Sequence, residues 1–178
     1  MEQLFDVLHR VSAALQEAGI EYRVIGGVAV YLHVAERDEL AARMTRDIDL
    51  AVNCLDLNRI ADAVRPYGFA LRHVADIDML VDAAKPSARS AVLMVMVGER
   101  VRPTDIAPIP ELSAPVETSE GILIVPVADL LRMKLTSFRL KDKVHIQDLD
   151  GVGLITPEVE ASLPGELLGR LAEVRETR

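Results

Sequence analysis

The chain has little of what commonly marks a function. It holds one cysteine, Cys54, in 178 residues, so an intramolecular disulfide is excluded. The apolar neighbours Val52 and Leu55 point to a buried, inert thiol rather than a nucleophile. Tryptophan is absent and aromatics make up only 3%, so a core has to be built from Val, Leu, Ile, Ala and Met. No apolar run reaches the roughly 18 residues that a membrane-spanning helix needs. The start, Met1-Glu2-Gln3-Leu4-Phe5-Asp6, is acidic and lacks the basic and apolar regions of a secretory leader. Positive charge is not in excess either: 20 basic residues stand against 28 acidic ones, a formal net charge of −8. A broad electrostatic footprint for nucleic acid is therefore excluded, while a local basic patch stays open. Internal repeats and low-complexity segments are absent. The chain reads as a cytoplasmic protein with no membrane partner.

What is present is enough hydrophobic sequence, 50% of residues, to fill one core. The length fits a single domain over residues 1–178, with a core at 20–126 and C-terminal helices at 127–178. Leu4, Leu8, Val11 and Leu15 recur at helical spacing and predict a helix over 2–18, ended by Gly19. Tyr22-Arg23-Val24-Ile25 reads as a short buried strand. Gly26-Gly27 then turns the chain into a helix at 28–34, and a charged connector follows at 35–44. Residues 47–53 form the next strand, and Asp56 is placed to cap a helix that ends at Pro66-Tyr67-Gly68. Residues 69–74 read as a strand. Residues 75–90 show no clear period, with a turn at Lys85-Pro86-Ser87. The run Ala91 to Val97 has the length and β-branched content of a central strand. A proline-rich connection over 102–120 leads to a strand at 122–125. Pro126 opens a helix over 127–139. A second helical stretch follows to Gly151 and Gly153, and a last helix lies near 164–174. The order implies an α+β domain with a mixed sheet flanked by helices.

Residues 25–50 carry the clearest chemical pattern. Glycine lets the backbone approach a ligand closely, and the free N–H groups where a helix begins favour an anion. Some twenty residues further on, Asp47 and Asp49 alternate with Ile48, so a strand places both carboxylates on one face. Two adjacent carboxylates on a partly buried face are costly unless a cation joins them, and Mg²⁺ prefers such oxygens. The plainer account of the two aspartates is a solvated strand end.

Gly26-Gly27, a helix, and then Thr45-Arg46-Asp47-Ile48-Asp49-Leu50 together resemble the nucleotidyltransferase superfamily of the polymerase-beta type. Within it, the chain looks most like small bacterial nucleotidyltransferase-like proteins related to AbiE-type toxins of toxin–antitoxin systems. The resemblance covers roughly residues 20–155. It implies a nucleotidyltransferase-like mixed sheet and a site that binds a nucleoside triphosphate with Mg²⁺. Asp47 and Asp49 are the implied catalytic metal ligands, and Gly26, Gly27, Thr45, Arg46 and Lys134 the implied nucleotide contacts. The implied reaction moves a nucleoside monophosphate to a hydroxyl of an RNA, a protein or a small molecule. An antitoxin or a second copy of the chain is an implied partner.

Lys134 lies in Leu130 to Arg139, which is similar to the family's helix bearing a triphosphate-binding lysine. The apolar positions around it demand a partner for the ammonium, phosphate being one; a lysine reaching the surface is the other. Arg139, Lys141, Asp142, Lys143, His145 and Asp148 follow, also similar to the family. Asp142, His145 and Asp148 fall at helical spacing and read first as a salt-bridged network. Arg139 and His145 also match a loose helical-ribonuclease spacing that is frequent by chance. His33 and His73 read as structural. Arg43 and Arg46 flank the metal strand, for phosphates or for salt bridges. The family's third carboxylate belongs on the strand at 91–97, which has no acid. Asp76, Asp78, Glu99 and Asp105 lie nearby in sequence. The alternative is therefore an inactive family member serving as a binding module or toxin–antitoxin component.

Overall fold

The computed structural model describes residues 2–87 and 90–177. In chain order these form α1 (Glu2–Glu17), β1 (Tyr22–Ile25), α2 (Gly26–Ala35), β2 (Ile48–Val52), α3 (Leu57–Val64), β3 (Phe69–Val74) and β4 (Ile77–Asp82). Next come β5 (Val92–Met96), β6 (Val116–Glu117), β7 (Leu123–Ile124), α4 (Val127–Ser137), α5 (Leu140–Gly151), α6 (Pro157–Ala161) and α7 (Gly165–Glu176). The strands make one seven-stranded sheet in the order β3-β4-β5-β2-β1-β7-β6. β1 pairs parallel to β7, and β2 parallel to β5. The other pairs are antiparallel. This is the α+β architecture with a mixed sheet that the sequence order implies.

Alternation along the strands divides the core in two. Ile48, Leu50 and Val52 of β2 meet Leu8, Leu15, Ile60 and Val64 of α1 and α3 on one face. Ala51 meets Ala29, Leu130, Leu135, Ile146 and Leu171, which come from α2, α4, α5 and α7. Each buried Leu, Ile or Val among them contributes about 1.5–3 kcal/mol, so both faces are firmly held. Asp49 shares the parity of Ala51. It therefore emerges on the face covered by α2, α4 and α5, at the end of β2 where that helical cover stops. No helix among the described residues is long and apolar enough to cross a membrane.

Several local expectations change. Cys54 is exposed, because residues 54–56 form a surface 3₁₀ turn that leaves Leu55 outside as well. Asp56 occupies the cap position of α3, but its carboxylate pairs with Arg59 at 2.6 Å instead of capping. The ambiguous stretch contains β4, which pairs with β3 over all six residues through a turn at Ala75 and Asp76. The turn expected at 85–87 starts earlier, where the Asp82 carboxylate accepts from the amides of Ala84 and Lys85. Residues 88 and 89 of that stretch lie outside the described residues. The helix expected over 127–139 ends at Ser137, two residues early, because Phe138 takes a left-handed φ of 49° and separates it from the second expected stretch, α5.

Candidate functional site

β1 passes into α2 with no intervening loop, and Gly26 makes the junction at φ +72°. A Cβ there would collide with Oδ2 of Asp49 and lie 2.9 Å from its Cγ. A Cβ on Gly27 would lie 2.7 Å from Oγ1 of Thr45. Both glycines thus open space that side chains of the β2 approach fill. The first turn of α2 has no side-chain cap and no acidic residue. Its opening N–H groups remain without intrahelical partners beside the two aspartates.

Asp49 is half-buried and Asp47, just before β2, is exposed. Ile25 of β1 and Leu93 of β5 stand opposite Asp49 in the ladder. Burial raises the Asp49 carboxyl above the usual carboxylate range. The charge of Lys134 opposes that rise, and the charge of Asp47 adds to it. Among the described residues no hydrogen bond reaches the Asp49 carboxylate.

Lys134 projects from α4 and is only 5% exposed, so it is not a lysine reaching the surface. Its ammonium donates to Oδ1 of Asp142 at 3.3 Å. Burial lowers its pKa, while Asp142 and Asp49 hold the charged form. Asp142 is fully buried and collects further donors: the Ser137 hydroxyl at 2.6 Å, the Arg139 amide at 3.1 Å and Arg139 Nε at 2.7 Å. Burial pushes this carboxyl up, but the bonds from Arg139 and Ser137 and the charges of Lys134 and Arg139 outweigh it and hold it at about 2. The reversal at Phe138 makes this possible by folding α5 back so that Asp142 faces Lys134. His145, one turn along α5, keeps Nδ1 buried and, among the described residues, without a hydrogen-bond partner. Burial and the neighbouring charge of Lys134 lower its pKa to about 4.

Asp49, Lys134, Ser137, Arg139 and His145 border one cleft of about 640 Å³, with Asp142 buried behind them. The sheet contributes Asp49 and Leu93, and α4 and α5 contribute Lys134, Arg139, Lys141 and His145. Asp47, Thr45, Gly26 and Gly27 line the same space. Arg46 does not; alternation turns it to the other side of the chain, into a separate hollow of about 210 Å³ beside α1. Arg43 pairs with Asp148 at 2.9 Å. His33 bonds the Val125 carbonyl at 2.7 Å and His73 pairs with Asp78 at 3.0 Å, both structural contacts. β5 supplies no acid, and Leu93 is the register partner of Asp49. Asp76, Asp78, Glu99 and Asp105 all reach the cleft from loops and the β3–β4 hairpin.

No protein-family model matches the sequence, and no curated protein matches it. Solved structures do. An antigenic nucleotidyltransferase-like protein from Paracoccidioides brasiliensis has a TM-score of 0.60 at 17% identity, over 100% of this chain and 89% of that one. The antibiotic-resistance factor ANT(2'')-Ia in solution has a TM-score of 0.54 at 14% identity, over 100% of this chain and 94% of that one. Its crystal structure with adenylyl-2''-tobramycin has a TM-score of 0.51 at 15% identity, over 99% of both chains. The chain has a nucleotidyltransferase-like fold. At these identities the likeness is one of fold.

Within the nucleotidyltransferase-like fold, the cleft sits where β1 meets α2 and β2 begins. Gly26, Gly27, Asp47 and Asp49, singled out in the sequence by a local signal, come together along this cleft. Sequence reasoning left Asp142 as one member of a charged cluster, since only the turn at Phe138 shows which residue the carboxylate faces. It also passed over Arg100 and Arg102, which lie in an aperiodic proline-rich connection and yet line the cleft. Among the described residues no group of three His, Cys, Asp or Glu side chains has metal-holding geometry.

Proposed function

We propose that the cleft binds a nucleoside triphosphate with Mg²⁺ and transfers its nucleoside monophosphate to a hydroxyl. One observation carries this reading: Asp49 and Lys134, from distant parts of the chain, border the same cleft and feel each other's charge beside the uncapped start of α2. A carboxylate pair next to a cationic helical wall matches the two halves of a metal–triphosphate.

The donor set fits Mg²⁺. Asp49 is half-buried, carries no hydrogen bond among the described residues and has Asp47 as a like-charged neighbour. Mg²⁺ is held by one or two carboxylates together with substrate phosphates. When bound, the ion supplies charge neutralisation on the phosphate oxygens. The remaining work falls to the chain. The α2 amides seat a phosphate, and the missing side chains of Gly26 and Gly27 let the Asp49 carboxylate and the Thr45 hydroxyl pack close beside them. Lys134, fixed by Asp142, neutralises the polyphosphate tail, with Arg139 and Lys141 beside it. Thr45 packs against Gly27 and orders the approach to Asp47. The acceptor oxygen bonds to the α-phosphorus and gives up its proton to solvent water, the bond from the α-phosphorus to the bridging oxygen breaks, and pyrophosphate leaves. Positioning and charge neutralisation carry most of such a transfer. Arg46 stands outside this cradle.

The acceptor is an RNA, a protein or a small molecule with a free hydroxyl. The adenylylated tobramycin held by ANT(2'')-Ia supports the small-molecule class. A second reading has its own support in Leu93, which offers a methyl-bearing side chain beside Asp49 where an acid would complete the site. On that reading the protein binds nucleotide without efficient transfer, as a binding module or a toxin–antitoxin component. Incubation with each α-³²P-labelled nucleoside triphosphate, total RNA, cell protein and a small-molecule pool separates the two. Mg²⁺-dependent label in an acceptor supports transfer, and nucleotide binding with no label supports the binding module.

A further inference from the structure

The chain between β5 and β6 is a built loop. The Gly98 amide donates to the Ile109 carbonyl at 2.9 Å, and the Ile109 amide donates to the Glu99 carbonyl at 2.8 Å. These two bonds close a neck, so residues 99–109 leave and return at one point. Inside the loop, the Asp105 carboxylate accepts from the Arg102 amide at 3.0 Å and tightens the tip. Beyond the neck, buried Arg23 grips the Ser113 carbonyl, and the Ser113 hydroxyl donates to Asp129 in the first turn of α4 at 2.6 Å. Closure of this kind makes a compact Ω-type loop, a class that often carries function.

The loop sends Arg100 and Arg102 to the cleft that Lys134, Arg139 and Lys141 line from the helices. Both arginines are exposed, and neither guanidinium makes a hydrogen bond or ion pair among the described residues. Asp105 of the loop tip and Arg139 of the helical wall line the same cleft. The Asp142 carboxylate is already saturated by Lys134, Ser137 and Arg139, so it offers nothing to two more cations. Paired guanidinium forks suit phosphate oxygens in a way a single ammonium does not.

We propose that residues 99–109 form a phosphate clamp, in which Arg100 and Arg102 hold the β- and γ-phosphates of the nucleotide against Lys134. The proposal rests on the reading of the cleft as a triphosphate site and adds the specificity for tail length. The clamp makes the protein select triphosphates over monophosphates.

Titration calorimetry tests it with Mg²⁺ and the four α,β-methylene nucleoside triphosphates, beside the matching monophosphates. Charged hydrogen bonds of this type are strong enough that Arg100→Gln with Arg102→Gln weakens triphosphate binding about 10- to 100-fold. Monophosphate binding changes less than about twofold, and the double lysine variant recovers part of the loss. Unchanged triphosphate binding, or an equal loss for both ligand classes, overturns the clamp while leaving the site reading intact. An unchanged triphosphate Kd with weakened RNA binding overturns it in favour of acceptor contact. Wild-type protein that binds no triphosphate overturns the site reading and the clamp together.

Discussion

The carboxylate of Asp49 occupies the space that a side chain at residue 26 would need. Gly26 also holds φ +72°, a conformation that L side chains rarely adopt. Strain and overlap therefore act together at this one position. Gly26→Ala is expected to lower stability by about 1–3 kcal/mol and to displace Asp49. Gly19 provides the comparison, with φ +61° and open space around it. Urea unfolding should show a loss for both alanine variants. Nucleotide calorimetry should show a loss of tenfold or more for Gly26→Ala alone, as about 1.4 kcal/mol is tenfold in affinity.

Asp142 is expected to be the most sensitive charged residue in the chain. Removing its charge strips Lys134 of its hydrogen-bonded counter-ion and leaves only the Asp49 charge, so Asp142→Asn should cost about 3–5 kcal/mol in urea unfolding at pH 7. The pH dependence follows from the depressed pKa. In the folded state the carboxyl stays ionised down to about 2, below its ordinary 3.8. Its contribution is present above the unfolded value and is lost as pH falls through the folded one. The stability gap between wild type and Asp142→Asn should therefore narrow from pH 4 toward pH 2. A constant gap would show that the carboxyl is not held in its charged form.

His145 shifts in the same direction for a different reason. Burial and Lys134 hold its pKa near 4 against an ordinary 6.5, so the folded protein resists a proton that the unfolded chain accepts. Stability should fall as pH drops from about 6.5 to 4, and His145→Gln should remove that part of the profile. Proton NMR of the imidazole is the direct check, with a midpoint near 4 expected in the nucleotide-free protein.

Much of the site was legible because it is local. Gly26-Gly27 and Asp47-Ile48-Asp49 announce a strand–helix junction and a two-residue period, and both are observed. Other features depend on long-range geometry. The two helices on either side of Phe138 were expected, but Phe138 takes a left-handed conformation with no glycine to signal it, so the sharp reversal between them was hidden, and with it the pairing of Asp142 to Lys134. β4 was hidden because its turn uses Ala75 and Asp76, not Asn-Gly. Cys54 looked buried by its neighbours, but a 3₁₀ turn at the end of β2 faces water whatever its composition.

Leu93 stands beside Asp49 in the β2–β5 register and is only partly buried. If the absent strand acid limits catalysis, Leu93→Asp should raise Mg²⁺-dependent transfer by about 10²-fold, the lower end of what a placed base supplies. The assay is incorporation of α-³²P label into the acceptor identified with wild type. A folded Leu93→Asp protein with unchanged turnover would place the limit elsewhere.

The two aspartates carry the central claim. Calorimetric titration of wild type with an α,β-methylene nucleoside triphosphate should show binding that requires Mg²⁺. Asp47→Asn with Asp49→Asn should lose that requirement and weaken binding at least about 100-fold, near 2.7 kcal/mol. Mg²⁺-dependent binding that survives unchanged in the double variant would contradict the site.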